Sequence, residues 1–149
     1  MNFTILKDRP NGHENRCSVI PLIGRPDISI VYRPDFDTTD FSGMTLLHPE
    51  GEVRTIRSDE RILLVDSNWT MAKRLYNRLA TKYPTMKRVA FHNVESAYPW
   101  KGSTCPSNSL ASVEALYLAS LLMGRSDESL LAHYYFREQF LEKLRRNGT

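Results

Sequence analysis

The stretch Arg61-Ile62-Leu63-Leu64-Val65-Asp66-Ser67-Asn68-Trp69 decides the fold. Every residue from Ile62 to Val65 is apolar, which fits a strand covered on both faces, as in a parallel sheet. The polar Asp66-Ser67-Asn68 breaks the run. Trp69, Ala72, Leu75, Tyr76, Leu79, Ala80 and Tyr83 then recur at the i, i+3, i+4 spacing of one helix face, until Pro84 ends the segment. Arg88 to Phe91 reads as another strand, so the whole is a βαβ unit with parallel strands. Asp66 therefore stands at the carboxyl edge of a sheet, where open α/β folds hold their ligands. The same position also suits a plainer role, with Asp66 or Ser67 as the N-cap of the following helix.

Upstream, Phe3 to Leu6, Cys17 to Ile23 and Ile28 to Tyr32 read as short strands, the second stopped by Gly24-Arg25-Pro26. Arg33 to Gly43 is a polar loop. Met44 to Leu47 is a short apolar run ended by His48-Pro49, and Glu50 to Glu60 connects onward. Downstream, His92 to Asn108 has no regular period; holding Tyr98, Trp100 and Cys105, it reads as an ordered, functional loop. Leu110 to Met123 is helical with apolar residues nearly all round, so it is expected to be buried, with Gly124 as its stop. Glu114 is its single charge and is placed to tie down a loop amide in the core. Ser126 is expected to cap a last helix that starts at Asp127 and Glu128 and runs to Asn147-Gly148. The expected organisation is one compact domain over residues 1–149, with an α/β sheet part at 1–94 and a loop plus helical part at 95–149.

The chain has 149 residues, 41% hydrophobic and 25% charged, enough to bury a core and unlike a disordered segment. No apolar run approaches the roughly 18 residues that cross a bilayer. Lys7, Asp8 and Arg9 stand where a signal peptide carries its apolar stretch, so the reading is a cytoplasmic protein with no membrane partner. Cys17 and Cys105 form no CxxC pair, and His13, His48, His92 and His133 share no metal spacing, so no metal site is expected. There is no GxGxxG and no Walker loop. A Cys105–His92 nucleophile pair has no support in its context. The net charge of +3 says little by itself. Its distribution says more: Ser67 to Val94 holds no Asp or Glu but carries Lys73, Arg74, Arg78, Lys82, Lys87 and Arg88. Such a field suits RNA, or else it is a solvated face whose neutralising acids come from elsewhere in the fold.

Four blocks carry a resemblance. Leu64-Val65-Asp66-Ser67-Asn68-Trp69 resembles the signature of the DTW-domain group, an acidic residue and a tryptophan two or three positions apart after a buried strand. Asn108-Ser109-Leu110-Ala111-Ser112-Val113-Glu114-Ala115 resembles the leucine-serine-x-x-glutamate-alanine helix opening of the same families. Cys17 to Pro26 is similar to the N-terminal segment of the ribosomal-RNA aminocarboxypropyltransferases of that superfamily. Leu46-Leu47-His48-Pro49 stands where those enzymes carry a leucine-serine-proline turn, with His48 in place of the serine. The ordered set spans about residues 17 to 124. One departure lies before Asn108, where Tyr98-Pro99-Trp100-Lys101-Gly102 replaces an asparagine-tyrosine-glycine stretch.

The resemblance implies a SPOUT-like parallel sheet with a C-terminal trefoil knot and a helical C-terminal third. It also implies an S-adenosylmethionine-dependent transferase that moves the 3-amino-3-carboxypropyl group to a uridine-type base in rRNA or tRNA. By that match Leu47, Asp66, Trp69, Tyr98, Leu110 and Ser112 surround the cofactor. A sulfonium has three electrophilic carbons, and orientation selects which one reacts. The base must lose an imide proton, which makes Asp66 the candidate catalytic carboxylate, directly or through a water. Trp69 would pack against the transferred chain. Ser112 would hydrogen-bond the cofactor's carboxylate at a helix start, or be a plain helix-surface hydroxyl. Lys73, Arg74, Arg78, Lys82, Lys87 and Arg88 would grip RNA phosphates. Three rivals stay open: a non-catalytic RNA-binding relative, a SPOUT-like RNA methyltransferase, and a small interaction protein with a basic helix. The sequence gives no oligomeric signal, and the monomer is the default reading.

Overall fold

The computed structural model describes residues 2–8, 20–92, 94–98 and 110–147. Trp100, Cys17, Cys105, Asn108 and Ser109 lie outside the described residues, as does His13. Five strands, β1 (Asn2–Lys7), β2 (Ile28–Tyr32), β3 (Thr45–Glu52), β4 (Arg61–Asp66) and β5 (Lys87–Val89), form one sheet. Its order is β2-β1-β4-β3-β5, and every pairing is parallel. The all-apolar run of β4 lies inside the sheet, between β1 and β3, as its composition requires. The two strands of the βαβ unit are not neighbours, because β3 lies between β4 and β5.

Alternation along the strands divides the core into two layers. Leu6, Leu46, Leu63 and Val65 pack with Ala72, Leu75 and Leu79 of α1 (Trp69–Lys82). Phe3, Ile5, Ile62, Leu64 and Leu47 pack on the other face with α2 (Ser112–Leu122) and with Phe140 and Leu144 of α3 (Arg137–Arg146). Full burial of a leucine such as Leu75 or Leu116 contributes roughly 2 kcal/mol. Helix α2 is buried from Ser112 through Ser120, in line with its all-round apolar composition. Gly124 ends it at φ 80°, with Arg125 N–H donating to Ser120 O at 2.8 Å and Gly124 N–H to Leu121 O at 3.0 Å. That pair of bonds is a complete Schellman closure.

Four expectations need correction. Within Cys17 to Ile23, the described residues Ile20–Leu22 form a 3₁₀ turn, where Pro21 has no N–H to give a ladder. Strand β3 does not stop at His48-Pro49 but runs to Glu52, its pairing with β5 interrupted between Leu47 and Glu52. Pro49 falls in that interruption, where no ladder donor is needed. Strand β5 ends at Val89, short of Phe91. The last helix is two pieces, a 3₁₀ turn at Glu128–Leu131 and then α3, and Ser126 does not cap it. Asp127 is held instead by Arg25 at 3.4 Å and by Ser129, while Ser126 Oγ lies 3.4 Å from the Tyr117 hydroxyl. No helix among the described residues is long and apolar enough to cross a membrane.

Candidate active site at the carboxyl edge of the sheet

Strands β1 and β4 run in register, with Lys7 opposite Asp66 at their carboxyl ends. Register partners in parallel strands project to the same face, here the α2 side. The Lys7 ammonium lies 3.3 Å from Asp66 Oδ2, and Ser112 Oγ donates to Asp66 Oδ1 at 2.5 Å. The lysine side chain is 8% exposed and the aspartate 21%, so the carboxylate remains reachable while its counter-charge is buried. Ser112 is the first residue of α2 and is buried, which removes the reading of it as a helix-surface hydroxyl.

Asp66 and Ser67 are not the cap of α1. That role falls to Asn68, whose side chain accepts from Met71 N–H at 2.9 Å. Asp66 is thus free of local capping duty, and its two oxygens are engaged by elements far away in sequence. Ser67 Oγ, one residue on, is buried and has no hydrogen-bond partner among the described residues. A buried, unmatched hydroxyl is a group that a polar ligand can satisfy.

The other expected site residues divide between the two layers. Leu47 belongs to the α2-side core, and Tyr98 and Leu110 pack against the same cluster, so these three share a layer with Asp66 and Ser112. Trp69 packs on the α1 side, with its ring 6.1 Å from Tyr76 in an edge-on arrangement. His48 stacks at 4.4 Å from Tyr76, and its imidazole pKa is lowered by burial and then by the nearby Arg88 charge. Burial alone pushes the Tyr76 phenol up to about 12.

Glu114 ties down a loop amide, as its lone charge within α2 suggests, and it does more. Fully buried at 0% exposure, it accepts from Ala97 N–H at 2.8 Å, Ser96 Oγ at 2.6 Å, Ala111 N–H at 2.8 Å and the Tyr134 hydroxyl at 3.0 Å. The Tyr134 pKa is raised, first by burial and then by this carboxylate. Sequence reasoning missed Lys7 altogether. A lysine ending an apolar strand was the available signal, but only the β1–β4 register shows what it faces.

The basic residues Lys73, Arg74, Arg78, Lys82, Lys87 and Arg88 are all exposed. Arg78 is neutralised by Asp37 at 3.0 Å and lies over the Phe36 ring at 4.1 Å, with Lys82 at 5.5 Å from the same ring. Among the described residues no ion pair involves Lys73, Arg74, Lys87 or Arg88. An open groove of about 500 Å³ runs along the last turns of α1, lined by Phe36, Asp37, Asn77, Arg78, Thr81 and Lys82, away from Asp66.

Among solved structures, the fold is similar to the SAM-dependent rRNA acp-transferase Tsr3 from Vulcanisaeta distributa, at a TM-score of 0.69 and 20% identity. The match covers 97% of this chain and 79% of that one. At this identity the likeness establishes a related α/β fold. No protein-family model matches the chain, and no curated protein matches it by sequence.

Proposed function

We propose that this chain is a single-domain, cytoplasmic member of the DTW-domain group. In this reading it is an S-adenosylmethionine-dependent transferase placing a 3-amino-3-carboxypropyl group on a uridine-type base of rRNA or tRNA. The observation that carries the reading is the Asp66 carboxylate at the sheet edge, released from capping by Asn68 and oriented by Lys7 and Ser112. The fold shared with an rRNA acp-transferase supports it. So do the exposed Lys73, Arg74, Lys87 and Arg88, which have no ion pair among the described residues and suit a phosphate backbone.

The residues present fit the cofactor. Ser67 Oγ offers an unused buried hydroxyl to a polar group of the cofactor. Leu47, Tyr98 and Leu110 would supply apolar wall, Trp69 would close the turn after β4, and Ser112 would hold Asp66 in place. Bound S-adenosylmethionine supplies an electrophilic carbon beside its sulfonium sulfur. Asp66 accepts the imide proton of the base, directly or through a water, while Lys7 and Ser112 fix the direction in which its oxygens point. The SPOUT-like knot belongs to the same reading.

The test is calorimetric titration with S-adenosylmethionine, followed by an RNA assay for methylthioadenosine. One-to-one binding, methylthioadenosine release and loss of turnover in Asp66→Asn are expected. Release of S-adenosylhomocysteine instead identifies a methyltransferase. RNA binding with no cofactor binding at millimolar concentration identifies a non-catalytic relative.

A further inference from the structure

We infer that Glu114 is a positioning residue: its buried carboxylate fixes the first turn of α2 so that Ser112 meets Asp66. The inference rests on the proposed function only for the identity of the ligand. Three separate stretches converge on this one side chain. Ser96 and Ala97 come from the segment after β5, Ala111 from the entry to α2, and Tyr134 from the turn before α3. Ser96 Oγ in turn accepts from Tyr98 N–H at 3.0 Å, which fixes the backbone that carries Tyr98.

The chemistry explains why a carboxylate, rather than an amide, stands here. Four donors meet two oxygens, Oε1 taking Ser96 and Ala111, and Oε2 taking Ala97 and Tyr134. Glutamine has one oxygen and one NH₂, so one backbone N–H, that of Ala97 or of Ala111, would face another donor. Burying an ion is costly unless hydrogen bonds replace its hydration, and four such bonds do so here. Leucine at this point would leave the same four donors without a partner. The carboxylate instead satisfies the Ala111 amide at the N-cap position, the reciprocal half of a capping box. That bond sets where α2 begins. Ser112 is the next residue, and its hydroxyl makes the 2.5 Å contact to Asp66. A small shift of this turn removes that contact, because hydrogen bonds weaken steeply with distance and angle.

A double-mutant cycle between Glu114→Gln and Ser112→Ala tests the inference with two readouts. The ligand-free readout is the ¹³C shift of the Asp66 carboxyl carbon at pH 7. Each single variant is expected to move it, and the double variant to move it no further than Ser112→Ala alone. The second readout is the affinity for S-adenosylmethionine. Glu114→Gln is expected to weaken it about 10-fold or more, an effect that disappears in the Ser112→Ala background. Additive effects, or an Asp66 carbon unmoved in folded Glu114→Gln, overturn the inference, because a merely stabilising core residue behaves that way. If wild-type protein binds no cofactor, the proposed function fails, while the carbon shifts still decide the role of Glu114. Should Glu114→Gln not fold, Tyr134→Phe removes a single donor and takes its place in the same cycle.

Discussion

Glu60 is a carboxylate whose folded-state contacts make stability depend on acid. Its side chain, 6% exposed, takes a two-pronged contact from Arg54 at 2.8 and 3.0 Å. It also accepts from Thr45 Oγ1 at 2.9 Å and from Arg57 N–H at 2.6 Å. These contacts, Arg54 foremost, lower its pKa from 4.5 to about 2. The unfolded chain therefore takes up a proton at a pH where the folded one does not. The stabilisation is complete above about pH 4.5 and is lost as pH falls through about 2. The shift is worth about 3 kcal/mol, of which about 2 kcal/mol is gone by pH 3. Urea unfolding of wild type and Glu60→Gln between pH 3 and pH 7 reads this directly. The stability gap between them is expected to narrow by about 2 kcal/mol over that interval. A gap that stays constant across the interval would falsify the assignment, since only a titrating Glu60 makes it pH-dependent. Thr45 opens β3, the strand that brings Leu47 to the site, so the same contacts hold that strand against the Arg54–Glu60 segment.

Three further outcomes are expected. Asn68→Ala should cost about 1 kcal/mol in thermal or chemical unfolding while leaving cofactor affinity unchanged, as expected of a cap that is not a ligand; a large loss of affinity refutes that division. Gly51→Ala places a Cβ 2.6 Å from Val89 N and 2.7 Å from Arg88 C. Because both are backbone atoms that cannot swing away, unfolding should show a loss of about 2–3 kcal/mol, and a neutral result removes the close approach. Replacing Lys73, Arg74, Lys87 or Arg88 by glutamine should reduce the salt dependence of RNA binding by about 1 each in the log–log slope. Arg78→Gln should change it less, because Asp37 already neutralises that guanidinium; equal effects from all five positions contradict this reading.

What the sequence disclosed follows from which forces are local. The β4 run, the α1 stripe, the all-round apolar α2 and the Gly124 stop each write their environment into a few consecutive residues, and the structure agrees with all four except that Ala80, on the edge of the α1 stripe, is exposed. Asp66 was legible as an edge residue because a strand-to-helix junction is itself a local pattern. Its partners were not. Lys7 faces it only through the register of two strands, and Ser112 lies in another element. The division of the last helix was equally hidden, because Asp127 is drawn to Arg25 across the fold rather than to its own helix. The cap was missed by one position: Asn68 and Ser67 are both good caps, and only the backbone geometry chooses between them.

The sheet order bears on how the molecule comes to be folded. No two strands that pair are joined by a tight hairpin; each ladder, from Phe3 with Ile28 to Leu47 with Val89, closes over an intervening crossover. Loop-closure entropy must be met before any of these pairings returns energy, which places such chains among the slower folders. Lys7, Asp66 and Ser112 come from three distant points of the chain, so a partly folded molecule can hold intact helices and still have no carboxylate site. Binding at that site therefore reports on completion of the fold, not merely on its secondary structure.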